Sequence, residues 1–155
     1  MRLNYFSLGS NIGERGSYLR AGVADLCGDE SYRLSPVYET APWGGVAQDA
    51  FWNLVVELES DDSPAELLTR AQRAEQNAHR ERLVRWGPRT LDVDVVLAGD
   101  LVVDTPDLIV PHPRMWERRF VLAPLRDLRP DLVSEERLAN ADGDVASLGT
   151  LEALH

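Results

Sequence analysis

The chain has 155 residues, about one domain's length, and carries 16 basic against 26 acidic side chains, a formal net charge of −10. At 44% hydrophobic and 27% charged, the composition excludes a disordered, collagen-like or membrane-embedded chain. So acidic a balance makes a poor general binder of nucleic acid or anionic membrane, and an anionic ligand must meet a local cluster of positive charge.

All 16 basic residues are arginine. Codon bias is the simple explanation, and the consequence is chemical. No lysine is available for a Schiff base, for general-base catalysis or for a Walker A loop. The single cysteine, Cys27, has no internal disulfide partner, which fits an intracellular protein. It falls in an apolar helical pattern and reads as a buried structural thiol. The opening MRLNYFSLGSN has no long apolar core, so no signal peptide is expected. No run approaches the roughly 18 apolar residues of a membrane span.

In chain order, Leu3–Leu8 reads as a strand, broken by Gly9-Ser10-Asn11. Leu19, Val23, Leu26 and Cys27 share one helical face. Tyr32–Thr40 reads as a strand, with Pro36 marking an edge or bulge. A Gly- and Pro-rich loop follows over Ala41–Ala50. Phe51–Glu59 alternates cleanly, with Trp52, Leu54, Val56 and Leu58 on one face and Phe51 beside Asn53 on the other. Ser63-Pro64-Ala65-Glu66 is a capping box opening a helix whose buried stripe is Leu67, Ala71, Ala74 and Ala78. Gln72, Glu75 and His79 form the neighbouring stripe.

Leu91–Ala98 is a second clear strand, with Leu91, Val93, Val95 and Leu97 on one face and Asp92, Asp94, Val96 and Ala98 on the other. Leu101–Asp104 reads as a short returning strand after a Gly99-Asp100 turn. Pro111–Leu128 reads as loop then short helix, and the last twenty or so residues as an acidic peripheral tail. The order β-α-β-β-α-β suits an α+β sheet with helices on one face, the split βαβ arrangement.

Four groups of residues carry chemistry. Asp92 and Asp94 point the same way from a strand, roughly 6–7 Å apart at Cα. Two such carboxylates can reach a shared hard cation, and Mg²⁺ favours one or two carboxylates plus water and phosphate oxygens. Spacing alone favours a solvated strand face, yet these aspartates sit in a strand otherwise made of Leu, Val and Ala. Arg80, Arg82, Arg85 and Arg89 precede them, and Arg114, Arg118 and Arg119 follow. Guanidinium groups bind phosphate oxygens through paired donors. Any single Arg reads better as a solvated charge paired with a nearby Glu; cations for phosphate beside carboxylates for Mg²⁺ are what a nucleoside triphosphate site requires. The turn Trp86-Gly87-Pro88-Arg89-Thr90 joins the two groups. His112, held between Pro111 and Pro113, can donate to a phosphate. Phe51, Asn53 and Phe120 offer apolar faces and an amide edge to a flat heterocycle, although core packing explains each aromatic alone. No G-x-G-x-x-G and no G-x-x-x-x-G-K-[ST] occurs, so Rossmann and P-loop readings fail.

The string Arg85-Trp86-Gly87-Pro88-Arg89-Thr90-Leu91-Asp92-Val93-Asp94 closely resembles the signature of the 6-hydroxymethyl-7,8-dihydropterin pyrophosphokinases of the folate pathway. Leu8-Gly9-Ser10-Asn11, Tyr38 through Gly44, Phe51-x-Asn53, and Val110-Pro111-His112 through Arg118 and Phe120 resemble further blocks of that family, in family order. The resemblance spans about residues 3–128.

It implies a single domain, with a ferredoxin-like βαββαβ core, an added strand and helices, and three α/β/α layers. It implies that ATP and 6-hydroxymethyl-7,8-dihydropterin give the pterin pyrophosphate and AMP. Asp92 and Asp94 would hold two Mg²⁺, Asp92 also bordering the pterin. Arg80, Arg82 and Arg89 would engage the phosphates as catalytic groups, with either Arg80 or Arg82 as the main one. Glu75, Trp86, His112 and Arg118 would face ATP. Asn53, with the backbone of Thr40 and Ala41, would read the pterin edge; Phe51 and Phe120 would sandwich the ring, and Trp43 would close over it. The implied partners are these two small molecules, with no nucleic acid or membrane, in a cytoplasmic monomer. Residues 41–50 and 80–85 are the natural lids.

The chain departs from some members at Pro113 (Tyr elsewhere), Trp43 (often Leu) and Asp107 (a nucleotide-contacting Arg elsewhere), and its 80–86 segment is one residue shorter. Two other readings stay open on the residues alone: a Mg²⁺-dependent nucleotidyltransferase, which would release pyrophosphate, and a non-catalytic ferredoxin-like sensing domain.

Overall fold

The computed structural model describes residues 1–11, 13–40, 50–80 and 91–154, with backbone alone for His79 and Arg80. In chain order these form β1 (Arg2–Ser10), α1 (Arg15–Cys27), β2 (Tyr32–Leu34), β3 (Val37–Thr40), β4 (Phe51–Ser60) and α2 (Pro64–Arg80). There follow β5 (Asp92–Ala98), β6 (Val103–Asp104), β7 (Ile109–Val110), a 3₁₀ turn (Met115–Glu117), α3 (Arg119–Leu128), α4 (Glu135–Asn140) and β8 (Val145–Gly149).

Among the described residues the main sheet runs β5-β1-β4-β3-β8, with β2 also on β4, and its pairings are antiparallel. Strand alternation sends Phe6, Leu8, Leu54, Val56, Leu58, Val93 and Val95 against Leu19, Val23 and Leu26 of α1 and Leu67, Ala71, Ala74 and Ala78 of α2. The opposite residues Tyr5, Val55 and Val96 pack with Val121, Leu122 and Leu125 of α3. Helices thus lie on both faces, where the pattern of elements alone predicts one. Each large aliphatic side chain buried here stabilises the fold by about 1.5–3 kcal/mol.

Local chemistry explains the elements. The α2 capping box forms as expected: Ser63 N–H donates to Glu66 Oε1 at 3.1 Å and Glu66 N–H to Ser63 Oγ at 3.2 Å. Cys27 is buried at the end of α1, and burial pushes its thiol up to about 12, which fits a structural role. Gly22 lets α1 approach the sheet; a Cβ there would stand 2.8 Å from Leu91 Cδ2.

The structure also differs from the sequence reading at five places along the chain. Gly9 and Ser10, expected to break the first strand, continue β1 because both pair with β4, opposite Asn53 and Trp52. The expected strand 32–40 is divided at Ser35-Pro36 into β2 and β3. Pro36 has no N–H, and Ser35 Oγ accepts from Val55 N–H at 2.9 Å beside the break. In β5, Tyr5 faces Leu97 and Phe6 faces Val95, so Val96 is an extra residue, a β-bulge. The bulge reverses the faces beyond it: Ala98 joins the α1–α2 side and Leu97 the α3 side. The segment 101–104 does not return along β5; β6 pairs with β7 in a separate ribbon. The acidic C-terminal segment, expected to be a peripheral tail, supplies β8, which pairs with β3.

Candidate active site

The start of β5 places Asp92 and Asp94 on the rim of a cavity of about 590 Å³. Their partners across the ladder are small: Gly9 faces Asp92 and Ser7 faces Asp94. On the other side of β1, Gly9 faces Asn53 of β4. Asp92, Gly9 and Asn53 therefore form one row across three strands, and the row spans roughly 10 Å at about 4.8 Å per strand. All three line the same cavity. The small residue in the middle is required, since a Cβ on Gly9 would lie 2.6 Å from Asn53 Oδ1.

One end of the cavity is charged. Glu75 of α2 accepts a hydrogen bond from Val93 N–H at 3.0 Å, between the two aspartates. Arg118 Nη1 lies 4.0 Å from Asp94 Oδ2, and Asp94 is 48% exposed. Among the described residues, no group of three His, Cys, Asp or Glu gathers that could hold a metal. The Asp92–Asp94 pair suits a hard cation such as Mg²⁺, whose other oxygen ligands come from water and substrate phosphates.

The other end is apolar with an amide edge. Thr40, Phe51, Asn53 and Phe120 line it. Asn53 Nδ2 donates to Thr40 Oγ1 at 2.8 Å, which fixes the amide orientation, and both residues are buried. Arg118 stacks 5.6 Å from the Phe120 ring centroid, linking the two ends.

His112 does not line the cavity but stands beside it, anchored by its N–H to Val96 O at 2.9 Å. Its Nδ1 accepts from Arg114 N–H at 3.2 Å. Burial lowers its pKa, and the nearby Asp94 carboxylate opposes that shift. A neutral ring with Nδ1 accepting presents Nε2–H as a donor.

The structure thus gathers Thr40, Phe51, Asn53, Glu75, Asp92, Asp94, Arg118 and Phe120 around one cavity. Ala41, Trp43, Arg82, Trp86, Arg89 and the side chain of Arg80 lie outside the described residues, as do the two expected lids apart from Ala50 and the backbone of Arg80. Sequence reasoning missed Ser7, Gly9, Glu117 and Asp142 as lining residues. Gly9 was hidden because a glycine before Ser-Asn reads as a strand break, and only its pairing with Asp92 and Asn53 shows it inside the sheet; Glu117 and Asp142 carry no pattern of their own.

Comparison with known proteins identifies the family. Residues 5–130 match the family model for 7,8-dihydro-6-hydroxymethylpterin-pyrophosphokinase (HPPK). The 2-amino-4-hydroxy-6-hydroxymethyldihydropteridine pyrophosphokinase of Bacillus subtilis is 45% identical over 141 residues, covering 89% of this chain and 84% of the relative. The enzyme of the same name from Pseudomonas aeruginosa is 42% identical over 131 residues, covering 83% of this chain and 81% of its own. A crystal structure of an HPPK-DHPS in complex with substrates is 12% identical with a TM-score of 0.62, covering 90% of this chain and 42% of that one, and shows the likeness of fold. With a family model matched over most of its length and relatives at 42–45% identity, the chain belongs to the HPPK family, the pyrophosphokinases of folate biosynthesis.

Proposed function

We propose that this chain transfers the β,γ-pyrophosphoryl group of ATP to the hydroxymethyl oxygen of 6-hydroxymethyl-7,8-dihydropterin, releasing AMP. One observation carries the reading: Asp92, Gly9 and Asn53 stand in a row across three strands and line one cavity. A triphosphate at the carboxylate end and a pterin at the amide end would meet over Gly9.

Asp92 and Asp94 would hold two Mg²⁺, and Glu75, bonded to the backbone between them, would keep the pair in register. The bound ions supply charge neutralisation and orientation of the triphosphate. Arg118, with Arg80, Arg82 and Arg89, would stabilise charge on the transferring group. Trp86 and His112 would flank the nucleotide, His112 through its Nε2–H. Asn53, its amide fixed by Thr40, would read the pterin edge with the backbone of Thr40 and Ala41. Phe51 and Phe120 would hold the ring, and Trp43 would close over it. The attacking oxygen is an alcohol, and none of the residues assigned here needs to act as a strong base. Positioning and electrostatics supply the catalysis.

The strand order β5-β1-β4-β3 and the helices on both faces support a ferredoxin-like βαββαβ core in three layers. We read residues 1–155 as one domain acting as a cytoplasmic monomer. The test is product analysis with ATP, Mg²⁺ and the pterin. AMP that appears only with the pterin supports the reading. ADP, or pyrophosphate with a nucleotidylated product, overturns it.

A further inference from the structure

The residues after 130, beyond the family match, do more than fill the sheet edge. Arg119, the first residue of α3, is a hub for backbone carbonyls. Its Nε donates to Leu138 O at 3.1 Å, its Nη2 to Ala139 O at 3.1 Å and its Nη1 to Gly143 O. Its own N–H donates to Asp142 O at 3.0 Å, and Asp142 N–H donates to Glu117 O at 2.8 Å. Arg118 and Asp142 form a parallel bridge. Residues 138–143 are thereby fastened to the backbone between Arg118 and Phe120, two residues that line the cavity.

Two residues past this knot the same segment becomes β8. Its register sets Val145 opposite Thr40, Ala146 opposite Glu39 and Ser147 opposite Tyr38. Thr40 lines the cavity and holds the Asn53 amide. One stretch of chain, residues 138–149, therefore runs from the Phe120 wall to the Thr40–Asn53 wall. Asp142, within it, lines the cavity itself.

We propose that this stretch is a strap that sets the width of the pterin slot, and that Arg119 is the positioning residue that latches it. This inference rests on the assignment of that slot to the pterin. Phe120 follows Arg119 directly and shares a packed cluster with Leu138. A strap released at 138–143 frees Phe120 to move relative to Asn53, while Asp92 and Asp94, built on β5 beside β1 and α2, keep their places; Arg118, which bridges Asp142, is the one group named at that end that the strap also holds. The latch acts chiefly on pterin binding and reaches the nucleotide only through Arg118.

The experiment is steady-state kinetics on the full chain, wild type against Arg119→Ala and Arg119→Lys, with both substrates varied. Arg119→Ala is expected to raise the KM for the pterin by about tenfold or more, because small misplacements of a binding wall are costly. The KM for ATP is expected to rise by a clearly smaller factor, through Arg118 alone. Arg119→Lys, which keeps one donor direction, is expected to fall between. Equal changes in both KM values, or fewer active molecules with both values unchanged, would overturn the strap. Wild-type protein that makes no AMP from the two substrates would instead overturn the reading on which the strap rests. Should Arg119→Ala fail to fold, amide hydrogen exchange on the wild type decides. Slower exchange over residues 142–147 with the pterin, and none with an ATP analogue alone, supports the strap. Unchanged exchange with the pterin overturns it.

Discussion

Glu75 on α2 closes the outer edge of β5 by accepting the N–H of Val93, the residue between Asp92 and Asp94. An edge strand bearing two like charges side by side has two reasons to fray: an unpaired N–H and carboxylate repulsion. The Glu75 carboxylate answers the first and sets the register needed for the second to be useful. Glu75→Ala is expected to lower stability by about 0.5–1.5 kcal/mol and turnover by about tenfold or more as the aspartates lose alignment. Glu75→Gln keeps a carbonyl acceptor for Val93 and is expected to retain most of the stability. Thermal unfolding with steady-state kinetics on both variants checks this; an Ala variant with unchanged turnover would remove Glu75 from the site.

Asp94 is half exposed and opens onto the cavity, so its removal leaves little behind in the core. Asp94→Ala is expected to keep the fold, with stability changed by at most about 0.5 kcal/mol. Turnover is expected to fall on the order of 10³-fold, since a metal-held triphosphate supplies several kcal/mol of charge stabilisation. Circular dichroism with the AMP-release assay separates these effects. A folded variant that turns over normally would refute the metal assignment.

Gly9 stands between the two halves of the site because nothing larger fits. A methyl group there would meet Asn53 Oδ1 at 2.6 Å and must push the amide away. The displaced Asn53 would lose its 2.8 Å hydrogen bond to Thr40. Gly9→Ala is therefore expected to cost about 1–3 kcal/mol of stability as overpacking. It should also weaken pterin binding by about tenfold in Kd, with a smaller effect on ATP. Isothermal titration with each ligand would show it; equal affinity for the pterin in both proteins would mean that Asn53 does not read the ring.

Much of this was legible in the residues. Ser63 and Glu66 announce the start of α2, and the capping box forms as written. Alternation in residues 51–59 marks the central strand, and Asp92 with Asp94 marks the charged rim. What escaped the pattern depends on long-range contacts. The Val96 bulge is set by how β5 meets β1, and strict alternation therefore misplaces Leu97 and Ala98. Residues 145–149 gain their strand character from pairing with β3 and have few apolar residues to signal it. Asp142 reaches the cavity through its backbone bonds to Glu117 and Arg119, flanked by the carbonyl contacts of the Arg119 side chain, and no local spacing encodes these. Local periodicity identifies elements; the site is completed by contacts between segments more than a hundred residues apart, as in the pairing of Thr40 with Val145.

Far from the cavity rim, Glu57 is buried and fully engaged on the α3 side of the sheet. It accepts from Tyr5 Oη at 2.6 Å and from Arg33 Nε and Nη2 at 2.7 and 2.8 Å. Burial pushes the Tyr5 hydroxyl up to about 12, so it stays protonated and donates. The Arg33 guanidinium holds the Glu57 carboxyl below its ordinary value, with Tyr5 adding to the effect and burial opposing it. The folded state thus binds fewer protons at this site than the unfolded chain does, and stability rises with pH there. This contribution is complete above the unfolded value of about 4.5 and is lost as the pH falls through the lower folded value. Glu57→Gln is expected to cost about 1–3 kcal/mol at pH 7, at the modest end because Arg33 is 58% exposed and can return to water. The gap between wild type and variant should narrow as the solution is acidified below the ordinary glutamate range. Urea unfolding of both proteins at neutral and acid pH measures it, and a gap that stays constant across that range would show that the carboxylate's charge contributes nothing to the fold.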